Sequence, residues 1–176
     1  MKSFSKLFGV LVMLFSFLAV GTLQAQTTVE EFVAKWGNGE KFTLDVLNAM
    51  PDSGMDYKPA DESMSFKEQL HHIGGGIVGI SQGFLNGDEA SAPKLDLEGA
   101  SKEDLAKYLS DAYAYGKATV AALSEEELAE VIPVFGTEAS RRQVIALIDD
   151  HCTHHRGVAV AYLRANGVKP PSFVGF

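Results

Sequence analysis

The sequence predicts an all-α protein: a four-helix bundle that follows an N-terminal signal peptide. Three observations lead there. Apolar residues recur at three- and four-residue spacing through four long segments, capping signals open segments at helix-length intervals, and strand signals are nearly absent. With 176 residues, 46% hydrophobic and 22% charged side chains, the chain suits one domain with a real core, and disorder is not the default.

Residues 1–25 read as an export signal. Lys2 and Lys6 precede a charge-free, mostly apolar run from Leu7 to Val20, and Thr22-Leu23-Gln24-Ala25 supplies a small-residue cleavage edge. The run is shorter than the ~20 residues of a spanning helix. The expectation is therefore cleavage near Gln26, a domain over 26–176, and a product that is exported, periplasmic or extracellular, and free of the membrane once cleaved.

The first helix is expected from about Val29 to about Ala49. Thr28 and Glu31 form a capping-box pair, Phe32, Trp36, Phe42, Val46 and Leu47 supply the apolar positions, and Pro51 stops it. Gly37-Asn38-Gly39 is its weak point, where a kink or break is expected if anywhere. The second helix starts at Ser65, paired with Glu68, and carries Phe66, Leu70, Ile73, Ile77, Ile80 and Phe84 on one stripe.

A loop from Asn86 to Gly99 leads to a third helix, opened by Ser101 with Asp104 and kept in period by Leu105, Tyr108, Leu109, Ala112, Tyr115, Val120 and Leu123. A short helical turn, Ser124 to Val131, ends at Pro133, and Val131 to Phe135 reads as too short to build a sheet. The fourth helix opens at Ser140 with Gln143, runs to Ala165 and closes at Asn166-Gly167, with Pro170 and Pro171 beyond. Loop lengths do not settle which helices are neighbours.

The net charge is −8, and −10 once Lys2 and Lys6 leave with the signal, which contains no acid. Nucleic acid and anionic membrane surfaces are then disfavoured partners, because both require Lys and Arg to neutralise phosphate. A small-molecule substrate remains open. Cys152 is the only cysteine, so no internal disulfide forms and stability rests on packing.

The histidines carry the chemical signal. All five fall in two clusters, His71-His72 in the second helix and His151, His154 and His155 in the fourth. Positions three or four apart lie one helical turn apart on one face, so His151 can share a point with either His154 or His155. Stepping by seven along the fourth helix gives the rows Val144, His151, Val158; Leu147, His154, Ala161; and Ile148, His155, Tyr162, each apolar except at its histidine.

Imidazoles in an apolar stripe need partners, and a metal ion satisfies several at once. His72 borders the second helix's stripe, with Gly75, Gly76 and Gly79 on nearly the same face, a row that points to close helix contact or to space for a ligand. His71 points about 100° away and reads as a helix-surface residue. A third nitrogen from this helix gives the open three-ligand arrangement of a catalytic divalent site. Asp149 and Asp150 read as either imidazole-orienting or solvated acids, Cys152 and Tyr162 as packing residues, and Arg156 and Arg164 as surface or interhelix ion-pair residues.

The run His151-Cys152-Thr153-His154-His155-Arg156-Gly157, followed by Ala161 to Pro171, resembles the end of the DinB-like (DinB/YfiT) metalloenzyme family. Met50-Pro51, Tyr57-Lys58-Pro59 and Ser65 through His72-Ile73 resemble that family's approach to its first metal histidine. The resemblance covers nearly the whole mature chain. It implies an antiparallel-type four-helix bundle and favours His72, His151 and His155 as ligands of zinc, with nickel second, over His71 and His154. Where relatives often carry Gln after the Arg-Gly pair, this chain has Val158.

It further implies metal-dependent chemistry on a small molecule, of the thiol-dependent transferase or the hydrolase type. Thiols of that kind are chiefly cytoplasmic, which conflicts with export. The competing expectation is a non-enzymatic metal- or ligand-binding envelope protein, compatible with a homodimer.

Overall fold

The computed structural model describes residues 27–174; the expected signal peptide lies outside the described residues. Four long helices, α1 (Val29–Ala49), α2 (Phe66–Phe84), α3 (Lys102–Ala121) and α5 (Arg141–Ala165), form the bundle. A short α4 (Glu125–Ala129) and a hairpin of β1 (Val131–Val134) and β2 (Thr137–Ser140) join α3 to α5. Among the described residues no helix is long and apolar enough to cross a membrane.

Each helix begins where its side chains satisfy its free amide groups. Thr28 with Glu31, Ser65 with Glu68, Ser101 with Asp104, Ser124 with Glu127 and Ser140 with Gln143 all close complete capping boxes. α5 ends on Gly167 at φ 72°, and the amide of Val168 reaches back to the carbonyl of Leu163 at 2.9 Å. The expected weak point in α1 is no break: the helix is continuous through Gly37-Asn38-Gly39. Buried Trp36 and Phe42 hold the two flanking turns in the core, and that packing outweighs the poor helix propensity of the glycines.

The packing decides what loop lengths left open. α2 packs chiefly on α3 and α5, and α1 on the same two helices, so α1 and α2 sit diagonally although they are consecutive in sequence. Contacts fix the directions. Glu40 meets Lys117 and Thr43 meets Tyr113, so α1 and α3 are antiparallel. Gln69 meets His155 and Phe84 meets Arg141, so α2 and α5 are antiparallel as well. The remaining neighbours, α2 with α3 and α1 with α5, run parallel, which the long α2–α3 and α3–α5 connections allow.

The hairpin is a correction to the sequence reading. Val131 pairs with Ser140 and Val134 with Thr137 in antiparallel register. Phe135 (φ 47°) and Gly136 (φ 85°) form a two-residue turn with both residues left-handed, the geometry that matches the twist of a tight hairpin. Thr137 to Ser140 has little strand character of its own; it pairs because this turn folds it back on β1.

Candidate metal centre

Two antiparallel helices supply the site. Ser65 caps α2 so that its first turns present Gln69 and His72 towards α5, whose middle turns present His151 and His155. A ligand nitrogen of each of His72, His151 and His155 lies within 4.8 Å of the others, a group that could hold a metal ion. Nε2 of His151 approaches Nε2 of His72 to 3.1 Å, and the ring centroids lie 4.9 Å (His72–His151), 4.5 Å (His72–His155) and 4.5 Å (His151–His155) apart. Two imidazole nitrogens bound tetrahedrally to one zinc ion at roughly 2.0–2.1 Å lie roughly 3.3 Å apart, so the observed approach fits a shared ion.

The second ring nitrogens explain which atoms face the centre. Nδ1–H of His155 donates to Oε1 of Gln69 at 2.7 Å, which leaves the Nε2 lone pair free. His151 lies against Gly76, where an added Cβ would stand only 2.2 Å from its Cε1. Its Nδ1 is buried with no hydrogen-bond partner among the described residues, so Nε2 is the nitrogen it has to offer.

Electrostatics favour the ligating form. Burial, with the nearby His151, His72 and His154, lowers the pKa of His155 from 6.5 to about 4. Burial, followed by the neighbouring His72 and His154, also lowers that of His151. Neutral imidazoles are what a divalent ion of the zinc or nickel type requires. All three rings are half-buried rather than enclosed, so the cluster stands at the α2–α5 seam within reach of solvent.

Several expectations change here. The row Leu147, His154, Ala161 is no buried stripe: all three residues are exposed, because α5 turns that row away from its neighbours. His154 only touches the edge of the cluster, its ring 4.8 Å from that of His155. His71 is half-buried rather than exposed. It stacks on Tyr108 of α3 at 5.1 Å, and its Nε2–H donates to the carbonyl of Leu95.

Asp149 orients no histidine; it pairs with Lys35 at 2.5 Å, while Asp150 is exposed. Arg156 is buried instead of exposed or ion-paired. Cys152 and Tyr162 are packed as expected, Cys152 with its thiol pushed up to about 12 by burial. Gln69 escaped the sequence reading, although its place three residues before His72 puts it one turn away on the same face.

The family profile described as "DinB family" matches residues 24–175, which is most of the chain. No curated protein matches it. Among solved structures, a DinB-like protein from Bacillus subtilis has 24% sequence identity and a TM-score of 0.65, covering 81% of this chain and 96% of its own. A DinB-like protein from Bacillus cereus has 15% identity and a TM-score of 0.71, covering 84% and 99%. At these identities the two structures establish a common fold, and the profile match establishes kinship. With a DinB-like bundle and a histidine cluster across its α2–α5 seam, the chain belongs to the DinB family.

Proposed function

We propose that this DinB protein holds a single divalent ion with His72, His151 and His155 and uses it in metal-dependent chemistry on a small molecule outside the cytoplasm. The observation that carries the reading is the convergence of three imidazoles, two of them with depressed pKa values, on one point of an accessible seam. Zinc is the first assignment and nickel the second, because imidazole suits both. A bound ion with open positions supplies Lewis acidity, enough to favour the deprotonated form of a water or a thiol at neutral pH.

The chain's own groups do the rest. Gln69 holds the His155 ring by its Nδ1 proton, the bare backbone of Gly76 makes room for the His151 ring, and half-burial keeps both imidazoles neutral. A substrate reaches the centre from the solvent side of the seam, where Gly75 and Gly79 are exposed and present no side chain. Transferase chemistry with a thiol and hydrolysis are the two reaction types this centre suits.

Native mass spectrometry of protein recovered from its source cells tests metal and export together. The expected species starts near Gln26 and carries one zinc or nickel ion. An intact Met1 terminus would overturn export, and a metal-free mass after purification and reloading with zinc would overturn the metal centre.

A further inference from the structure

Arg156 presents an unusual balance of charge. Its side chain is 8% exposed, yet among the described residues its guanidinium meets only neutral oxygens at long range: the carbonyl of Gly39 at 3.5 Å, Oγ1 of Thr43 at 3.4 Å and Oγ1 of Thr153 at 3.2 Å. It also lies over the Phe42 ring, 5.3 Å from its centroid. Among the described residues neither Arg156 nor Arg164 forms an ion pair, although the chain has 23 acidic side chains against 15 Lys and Arg.

The described weak acid beside it does not make up the deficit. Burial raises the pKa of the Tyr113 phenol, so it stays uncharged beside the guanidinium at neutral pH. A desolvated cation without a counter-charge is costly, and a guanidinium with unused donors is a ready fork for an anion.

Arg156 opens on a cleft. A cavity of about 290 Å³ lies between α1, α5 and the C-terminal segment, and Arg156 and Arg164 line it with Phe42, Pro170, Pro171 and Phe173. Phe173 is 78% exposed and sets its ring edge-on to Phe42 at 5.8 Å, giving the cleft an aromatic wall. The volume is at the small end of ligand pockets.

We propose that this cleft is a second ligand site that takes a small organic carboxylate with an apolar or aromatic body. The carboxylate meets the Arg156 fork, Arg164 adds charge at the rim, and the body lies among the phenylalanine and proline walls. A planar carboxylate matches a guanidinium with two parallel bonds, whereas a fully hydrated phosphate gains nothing from the apolar walls. Arg156 points about 100° around α5 from His155, so the site stands apart from the histidine centre and does not rest on the metal assignment.

An NMR titration of the isotope-labelled protein with benzoate, benzamide and inorganic phosphate tests it. Benzoate should shift the amides of Thr153, Gly157 and Phe173 saturably at millimolar concentration, with benzamide and phosphate at least about tenfold weaker. Arg164→Gln, at an exposed position, should weaken benzoate several-fold, and Arg156→Lys should weaken it about tenfold or more by losing the fork.

If Arg156→Lys fails to fold, the Arg164→Gln titration and the rise in wild-type melting temperature with benzoate decide the matter. Absence of saturable shifts, equal binding of benzamide, or shifts centred on His72, His151 and His155 would each overturn the site. Tighter binding of phosphate than of benzoate would overturn the carboxylate assignment.

Discussion

Gln69 and His155, 86 positions apart in sequence, share a 2.7 Å hydrogen bond across the α2–α5 seam, with the His155 Nδ1–H as donor. Gln69 is 7% exposed, so the bond is shielded and holds the imidazole in the tautomer whose Nε2 is free. Gln69→Leu keeps the size of the side chain and removes the acceptor. Zinc affinity, read by competition with a chelator, should fall roughly tenfold to a hundredfold, while Gln69→Glu, which keeps an acceptor, should recover most of it. Unchanged affinity in Gln69→Leu would mean that the bond does not position His155.

The five histidines divide into two groups by geometry. Replacing His72, His151 or His155 by Ala removes a nitrogen from the point of convergence and should cost more than about tenfold in zinc affinity. His71→Ala and His154→Ala should leave bound zinc nearly intact, because His71 is engaged with Tyr108 and Leu95 and His154 is exposed. Metal analysis at fixed zinc checks this; equal losses in His154→Ala and His155→Ala would mean that the ligands are misassigned.

Two glycines on the same face of α2 should answer oppositely to alanine. A Cβ at Gly76 would stand 2.2 Å from His151 Cε1, so Gly76→Ala must displace the ring and weaken zinc binding. Nothing lies within 4 Å of a Cβ at Gly79, and Gly79→Ala should raise stability by roughly 0.5–1 kcal/mol through helix propensity alone. Denaturant midpoints with and without zinc separate the two effects.

The depressed histidines make the metal-free protein sensitive to acid. His155 titrates at about 4 in the fold against 6.5 ordinarily, so the unfolded chain binds a proton over that window and the folded one does not. Its contribution to stability is complete above pH 6.5, declines as pH falls through the window, and levels off below about 4. His151 is shifted in the same direction and adds to the decline. Carboxylates titrate there as well, so the difference in urea midpoint between the wild type and His155→Asn isolates the histidine. A difference that does not vary between neutral and acid pH would contradict the shift.

Much of the fold is legible because it is local. A serine or threonine three residues before Glu, Asp or Gln stands at each α-helix start, and each of those five pairs closes its box in the structure. The hairpin was missed because its cause is a two-residue turn in which Phe135 takes a left-handed conformation that its side chain does not advertise. The row of His154 was misjudged because Leu147 and Ala161 are apolar without being buried; 37% of Leu147 remains exposed.

By itself the sequence determined the helices, their caps and the possibility that His151 and His155 share a face, since all of these follow from residues within a turn or two of each other. Only the tertiary structure decided that α2 faces α5 antiparallel and α1 diagonally, and hence that His72 and Gln69 meet those histidines. The same packing buried Arg156 with no ion-pair partner among the described residues and set His71 against Tyr108. These outcomes depend on which faces of distant segments bury the most apolar surface together, and connections this long permit more than one arrangement until the core is packed.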